Sequence, residues 1–353
     1  MKGEAMKAMG VLVAAMIALA GCGGTSDDGS GAATSSGGSG SGGSGGVTSP
    51  TACSNSPVVV SSTRYLGVLP TGQVGEFHFD TAARSGSYTV DGVSSDVVLV
   101  RDDTTCSFTA SATGSLRTSF LSNGLAVSVA GVSSGVWPAM LVNAPESNLA
   151  TVAGTYNVLR YEQDQQGSGS IRSAYATFNV DVSGQWQLCP AAAYSAACGG
   201  PTGSLSPNAD GGFDLVASGV TIGRVLPKAT ASSKVLIVAI NDTSDPTGAV
   251  HGMWIGASND AFVAGADDGV YVTNTTDKTT ALLTLSGLTD KPDTRPTAAP
   301  ILANQPVQGV FSIVTGDPTD DVGIVTVDGL YADITQSSDQ STSFMRFGVK
   351  EIN

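Results

Sequence analysis

From residue 51 onward the chain is a succession of short runs rich in Val, Thr, Ile, Tyr and Phe, each closed by a turn cluster, and this rhythm restricts the fold more than any other feature. Clear runs are Pro57–Leu66, Gly75–Phe79, Val97–Arg101, Leu125–Val129, Thr155–Glu162, Ala174–Val182, Val235–Ile240 and Val270–Thr273. Between them recur Asp91-Gly92, Asn123-Gly124, Ser183-Gly184, Asp210-Gly211, Asp268-Gly269 and Asp328-Gly329. Such pairs suit hairpins, because tight primed turns need positive φ. Gly and β-branched residues interrupt every candidate amphipathic helix, and only Ser147–Val152 offers one helical turn. The expected fold is all-β and antiparallel, in sandwich or barrel units.

Residues 51–353 are long for one such unit, so two are expected: 51–146 and 147–353. The boundary is placed near Asn143-Ala-Pro-Glu-Ser-Asn. A second break is expected at the Pro-spaced stretch Lys291–Pro306. The segment after it is too short for its own core, so its strands should return to the second unit, with Ser343–Lys350 as a closing or edge strand. Residues 23–50 are almost wholly Gly, Ser, Thr, Ala and Asp, the composition of a flexible tether. Within it Gly38, Gly40 and Gly43 satisfy GxGxxG, and Gly42–Gly46 satisfies GxSxG. Neither follows a strand or opens a helix, as phosphate or nucleophile chemistry requires.

The amino-terminal segment places Lys2 and Lys7 ahead of an apolar run, Val11–Ala20, which is too short to span a bilayer. Leu19-Ala20-Gly21-Cys22 follows. This stretch resembles the lipobox of bacterial lipoproteins, with Met6 as an alternative start. The resemblance implies a signal peptide over 1–21, cleavage before Cys22, a diacylglycerol on its thiol and an acylated amine. Residue 23 is Gly rather than the Asp that retains many lipoproteins at the inner membrane, so the resemblance implies an outer-membrane anchor, facing either way. Several acyl chains anchor stably, since each buried CH₂ contributes ~0.8 kcal/mol.

Cleavage there removes two lysines and one glutamate and takes the net charge from −14 to −15. Nucleic acid is not an expected partner, because phosphate binding needs clustered Lys and Arg and the sequence shows no such cluster. The expected partners are the bilayer, through Cys22, and a protein or small-molecule ligand not identified by the sequence. With Cys22 acylated, Cys53, Cys106, Cys189 and Cys198 remain. An even count in an exported chain reads as two disulfides in one of three pairings, and proximity favours Cys189–Cys198 with Cys53–Cys106. The spacing is not that of a metal site, and no cofactor is expected.

Candidate chemistry is sparse. His251, in Ala249-Val-His-Gly-Met-Trp-Ile255, would serve a hydrolase as general base if Asp242 or Asp245 oriented it, but no serine stands in a nucleophile context. The plainer expectation is a half-exposed strand residue. His78 alternates with Phe77 and Phe79 and so belongs to a polar outer face. Asn241–Asp245 and Asp317–Asp321 read as solvated turns rather than Ca²⁺ loops, and Asp267-Asp268 as part of a hairpin turn. Trp137, Trp186 and Trp254 are expected in the core. Finally, Gly154-Thr155-Tyr156 after a helical turn resembles the Gly-x-Trp/Tyr opening of calycin-type barrels. That resemblance implies a barrel in which Arg346, near the end, packs on Tyr156. The leading expectation is a lipid-anchored, non-enzymatic binding or surface protein of the envelope. A hydrolase using His251 and an envelope assembly factor are the alternatives.

Overall fold

A computed structural model describes residues 60–102, 107–110, 116–164, 170–243, 249–316, 321–335 and 343–351. Cys22, the tether, Cys53, Cys106, Asp245 and Asp317 lie outside the described residues. The described chain is antiparallel all-β, apart from the helical turn Leu149–Val152, which Asn148 caps through its side chain on Ala150 N.

Among the described residues the strands form three closed barrels of eight strands each. The first runs from Thr63 to Asn143, the second from Gly154 to Ser258 and the third from Gly269 to Lys350. In each barrel the strands pair in sequence order, and the last returns beside the first. Tyr65 lies opposite Asn143, Leu159 opposite Ile255 and Val272 opposite Val349. Closure satisfies every strand by its neighbours and leaves no open edge.

Residues 147–353 therefore hold two barrels, not the one unit expected. The Pro-spaced stretch does not divide them. Pro292 ends one strand of the third barrel, and Pro300 sits within the next, opposite Thr289. Proline is tolerated in short strands and at their ends, where few ladder donors are needed. The chain crosses from the second barrel to the third over residues 259–268 instead. The Asn304 side chain holds that crossing, accepting from Phe262 N at 2.8 Å and donating to Phe262 O at 3.1 Å.

The turn dipeptides mark hairpin tips but not one turn type. Asp91 (φ 51°) and Gly92 (φ 74°) form a primed two-residue turn. At Asn123-Gly124, Ser183-Gly184 and Asp328-Gly329 only the glycine has positive φ. There a wider loop closes with two bonds, as in Gly124 N to Leu121 O and Leu121 N to Leu125 O. Asp268-Gly269 is not a hairpin: it leads into the first strand of the third barrel. Asp268 Oδ1 accepts from Gly287 N, and Asp267 O accepts from the Tyr271 hydroxyl.

Each wall is apolar on two sides. Inward residues fill the barrels: Tyr65, Phe77, Phe79 and Phe120 in the first, Tyr156, Phe178, Trp186 and Trp254 in the second, Tyr271, Phe311 and Tyr331 in the third. Small residues make room for these rings. A Cβ on Gly323 would stand 2.3 Å from the Phe311 ring, and one on Gly203 2.7 Å from Trp186. Outward residues of all three barrels meet in a further cluster. It joins Leu66, Met140 and Val142 to Leu159, Ile237 and Ile255, and these to Ile324, Leu330 and Phe347. Strands buried on both faces read as continuous apolar runs, as Val235–Ile240 does. One hairpin from each barrel adds a polar clasp: Asp328 O accepts from Asn123 Nδ2 at 2.8 Å, and its carboxylate from Ser233 Oγ at 2.7 Å. Cys189 and Cys198 form a disulfide across the loop that follows Gln185–Pro190.

Phe347→Ala empties part of the shared cluster and should cost ~3–5 kcal/mol. Guanidinium unfolding followed by circular dichroism should show the whole transition displaced. A shift in one fraction of the amplitude, with the rest unmoved, would mean that the barrels unfold independently.

Candidate functional site

On the strand Val250–Ser258, Trp254 points into the second barrel, while His251 and Met253 point outward. His251 lies opposite Gln163 on one neighbouring strand and Asn241 on the other, so three polar side chains form a row across the outer wall. His251 Nε2 is 3.1 Å from Gln163 Oε1. Burial pushes the imidazole below its ordinary pKa, so it is neutral at pH 7. Asp242 lies opposite Val250, one position away, and therefore projects from the other face of the sheet. It does not orient His251, and the partner that does is an uncharged amide.

A second polar row runs alongside, where Asp214 pairs with Arg224 and Arg224 with Ala239. Facing these rows is one end of the first barrel, with Thr71–Val74, Asp91, Ser133, Ser134 and Trp137. The two surfaces enclose a cleft of about 800 Å³. Gly72 sets their approach: with φ 75°, its Cβ would lie 2.1 Å from Ile240 O, so no other residue fits there without a shift. Arg224 donates to Gly211 O at 2.8 Å, Gln73 Nε2 bonds to Asp91, and Asp214 Oδ1 accepts from Asn208 Nδ2 at 2.7 Å. Trp137 is half-buried. Its Nε1 donates to Ser134 Oγ at 3.0 Å, and Lys278 Nζ sits 4.2 Å from the ring centre. Trp186 and Trp254 are core residues, as expected, but Trp137 stands at the cleft.

His78 is exposed on a polar outer face, as its alternation predicts. Its Nε2 is 2.7 Å from Glu76 Oε1, and Arg64 Nη2 is 2.7 Å from Glu76 Oε2. The bonds from Arg64 and His78 hold the Glu76 carboxyl down at about 2.

Sequence reasoning missed a second polar cluster, inside the third barrel. Asp290 and Asp333 are wholly buried and Asp321 nearly so. Arg346 grips Asp333 through Nε at 3.1 Å and Nη2 at 2.7 Å. The Tyr331 hydroxyl lies 2.7 Å from Asp290 Oδ2 and 3.0 Å from Asp333 Oδ2. A phenol carries one proton and can donate to only one of them. Burial, reinforced by Asp333, pushes the Asp290 carboxyl up, against the opposing pull of Arg346, Tyr331 and Arg295. The two carboxylates share the one phenol donor, Asp290 also faces Arg295 Nη1 at 3.4 Å, and Asp333 pairs with Arg346. Arg346 accordingly does not pack on Tyr156, which belongs to the second barrel and donates to Val152 O. In that barrel Arg160 lies 5.2 Å from the Trp254 ring centre and binds Glu162 at 2.7 Å, and Trp254 Nε1 also donates to Glu162 at 2.8 Å. The cluster of acids was hidden because Asp290, Asp321 and Asp333 lie on three separate strands. The signal that would have found it is the inward alternation of Tyr331 and Asp333. Among the described residues no group of three or more His, Cys, Asp or Glu is arranged to hold a metal ion.

Burial, with Asp333 adding, raises the Asp321 carboxyl from 3.8 to about 7. A group raised on folding stabilises fully below its unfolded pKa, and that contribution is lost as pH rises through the folded value. Stability should therefore fall between about pH 4 and pH 7, with Asp321 contributing up to ~1.4 kcal/mol per pH unit. Asp321→Asn should flatten that slope by one proton's worth in urea unfolding at stepped pH. An unchanged slope would place the titration elsewhere.

No protein-family profile matches the chain, and no curated protein matches it. Among solved structures it is similar to a protein of unknown function from the DUF3598 family of Nostoc punctiforme, at 8% identity. That similarity covers 82% of this chain and 94% of that one, with a TM-score of 0.18, and carries no functional argument.

Proposed function

We propose that this chain is a lipid-anchored protein of the bacterial outer membrane that works by binding, and that the cleft between the first and second barrels is where it binds. The lipobox-like Leu19–Cys22 and the Gly/Ser-rich stretch behind it support the anchor and the tether. The observation that carries the binding reading is the cleft itself. It presents amides, hydroxyls, an imidazole and a guanidinium, and its histidine is paired with Gln163 rather than with a carboxylate. The barrel interiors are filled with aromatic side chains, so capture within a barrel is not favoured.

Replacing Cys22 with Ser should move the chain from the membrane pellet to the soluble fraction. Mass spectrometry should find acyl chains on the first residue of the mature wild-type protein. Retention of the variant in the pellet, or a bare Cys22, would remove the anchor from this reading.

A further inference from the structure

We infer that the cleft takes a neutral oligosaccharide; this rests on the binding reading above and supplies its ligand class. Its volume, about 800 Å³, lies within the ~300–1,000 Å³ typical of small-molecule sites. The second-barrel wall carries no large apolar side chain into the cleft: Ala239 ends the second polar row, and Gly223 lies between the two rows. The cleft's apolar surface comes in part from Val74 and Trp137 on the first barrel, opposite the polar rows.

The polar rows carry the class. Gln163, His251 and Asn241 stand on three adjacent strands, in register. Strands are ~4.8 Å apart, about the width of a sugar ring. An amide side chain offers both donors and an acceptor, and neutral imidazole offers one of each. A hydroxyl also donates and accepts, so a polyol satisfies such a row and is satisfied by it. Trp137 adds one indole edge at the opposite lip, with an apolar body and a polar tip.

Charge argues against an anion. Asp91 and Asp214 line the cleft against the guanidinium of Arg224 and the Lys278 ammonium on Trp137, so it offers no net positive charge, and the whole chain is strongly acidic. Backbone geometry argues against an extended peptide. Among the described residues the closed barrels leave no unpaired strand edge, so recognition by strand addition is not open to this site.

The test is fluorescence titration of the purified full-length chain with maltohexaose, cellohexaose, xylohexaose and chitohexaose, beside an acidic galacturonate hexamer. At least one neutral hexamer should saturate the chain and alter tryptophan emission. The double change Gln163→Ala with Asn241→Ala should weaken that binding at least about tenfold, or ~1.4 kcal/mol. Trp137→Ala should weaken it too; because Trp137 also packs on the first barrel, its melting curve is read alongside, and the amide pair decides if it fails to fold. No neutral binding at millimolar sugar, a preference for the acidic hexamer, or binding that survives the amide changes would overturn the proposal. The fractionation of Cys22→Ser is read separately. A chain that leaves the membrane yet binds no sugar overturns the ligand class alone, whereas one that binds sugar but stays in the membrane overturns the anchor alone.

Discussion

Three sheets closed on themselves each own an interior, yet among the described residues the largest apolar assembly lies outside all of them, where their walls meet. Strands such as Lys234–Asp242 and Leu330–Ile334 bury both faces, one against rings inside the barrel and one against a neighbouring barrel. Hydrophobic burial is non-directional and scales with area, so a shared wall stabilises two units at once. The polar clasp at Asp328 then fixes how the walls meet, because hydrogen bonds have the direction that apolar contact lacks. The cleft exists because this packing presses the Gly72 loop onto the second barrel and leaves the rest of that end standing off.

The interiors are not uniformly apolar. The second and third barrels each spend an arginine and at least one carboxylate on an internal network, Arg160–Glu162 in one and Arg346–Asp333 in the other. Buried pairs of this kind add little net stability over well-packed apolar residues, but breaking one leaves a charge stranded. Their value is registration. Arg346 and Asp333 lie directly opposite each other on neighbouring strands, so a slip of one residue would move both to the wrong face of the wall. Tyr331 and Asp290 extend the same constraint across the barrel.

Much of the architecture was legible because strand alternation is a local signal. The polar face of Glu76-Phe-His-Phe-Asp80, the helical turn before Gly154 and the run Val235–Ile240 all appear where the pattern puts them. The number of barrels was not legible from length, because eight short strands close within Gly269–Lys350. A usable signal was present: Gly269-Val270-Tyr271 repeats Gly154-Thr155-Tyr156, and in both the tyrosine hydroxyl reaches the carbonyl four residues back. The partners of His251 were beyond local reading, since Gln163 stands 88 residues away and meets it only when the second barrel closes. The Asp290–Tyr331–Asp333 network depends on closure in the same way.

The strand Met345–Lys350 contributes Met345, Phe347 and Val349 to the cluster that joins the barrels. A chain emerging from the ribosome cannot complete that hub until the closing strand of the third barrel has been made. Until then the outward apolar faces that the first two barrels bring to the hub lack part of their cover. The seam between the barrels is thus sealed by the same strand that closes the third barrel on itself.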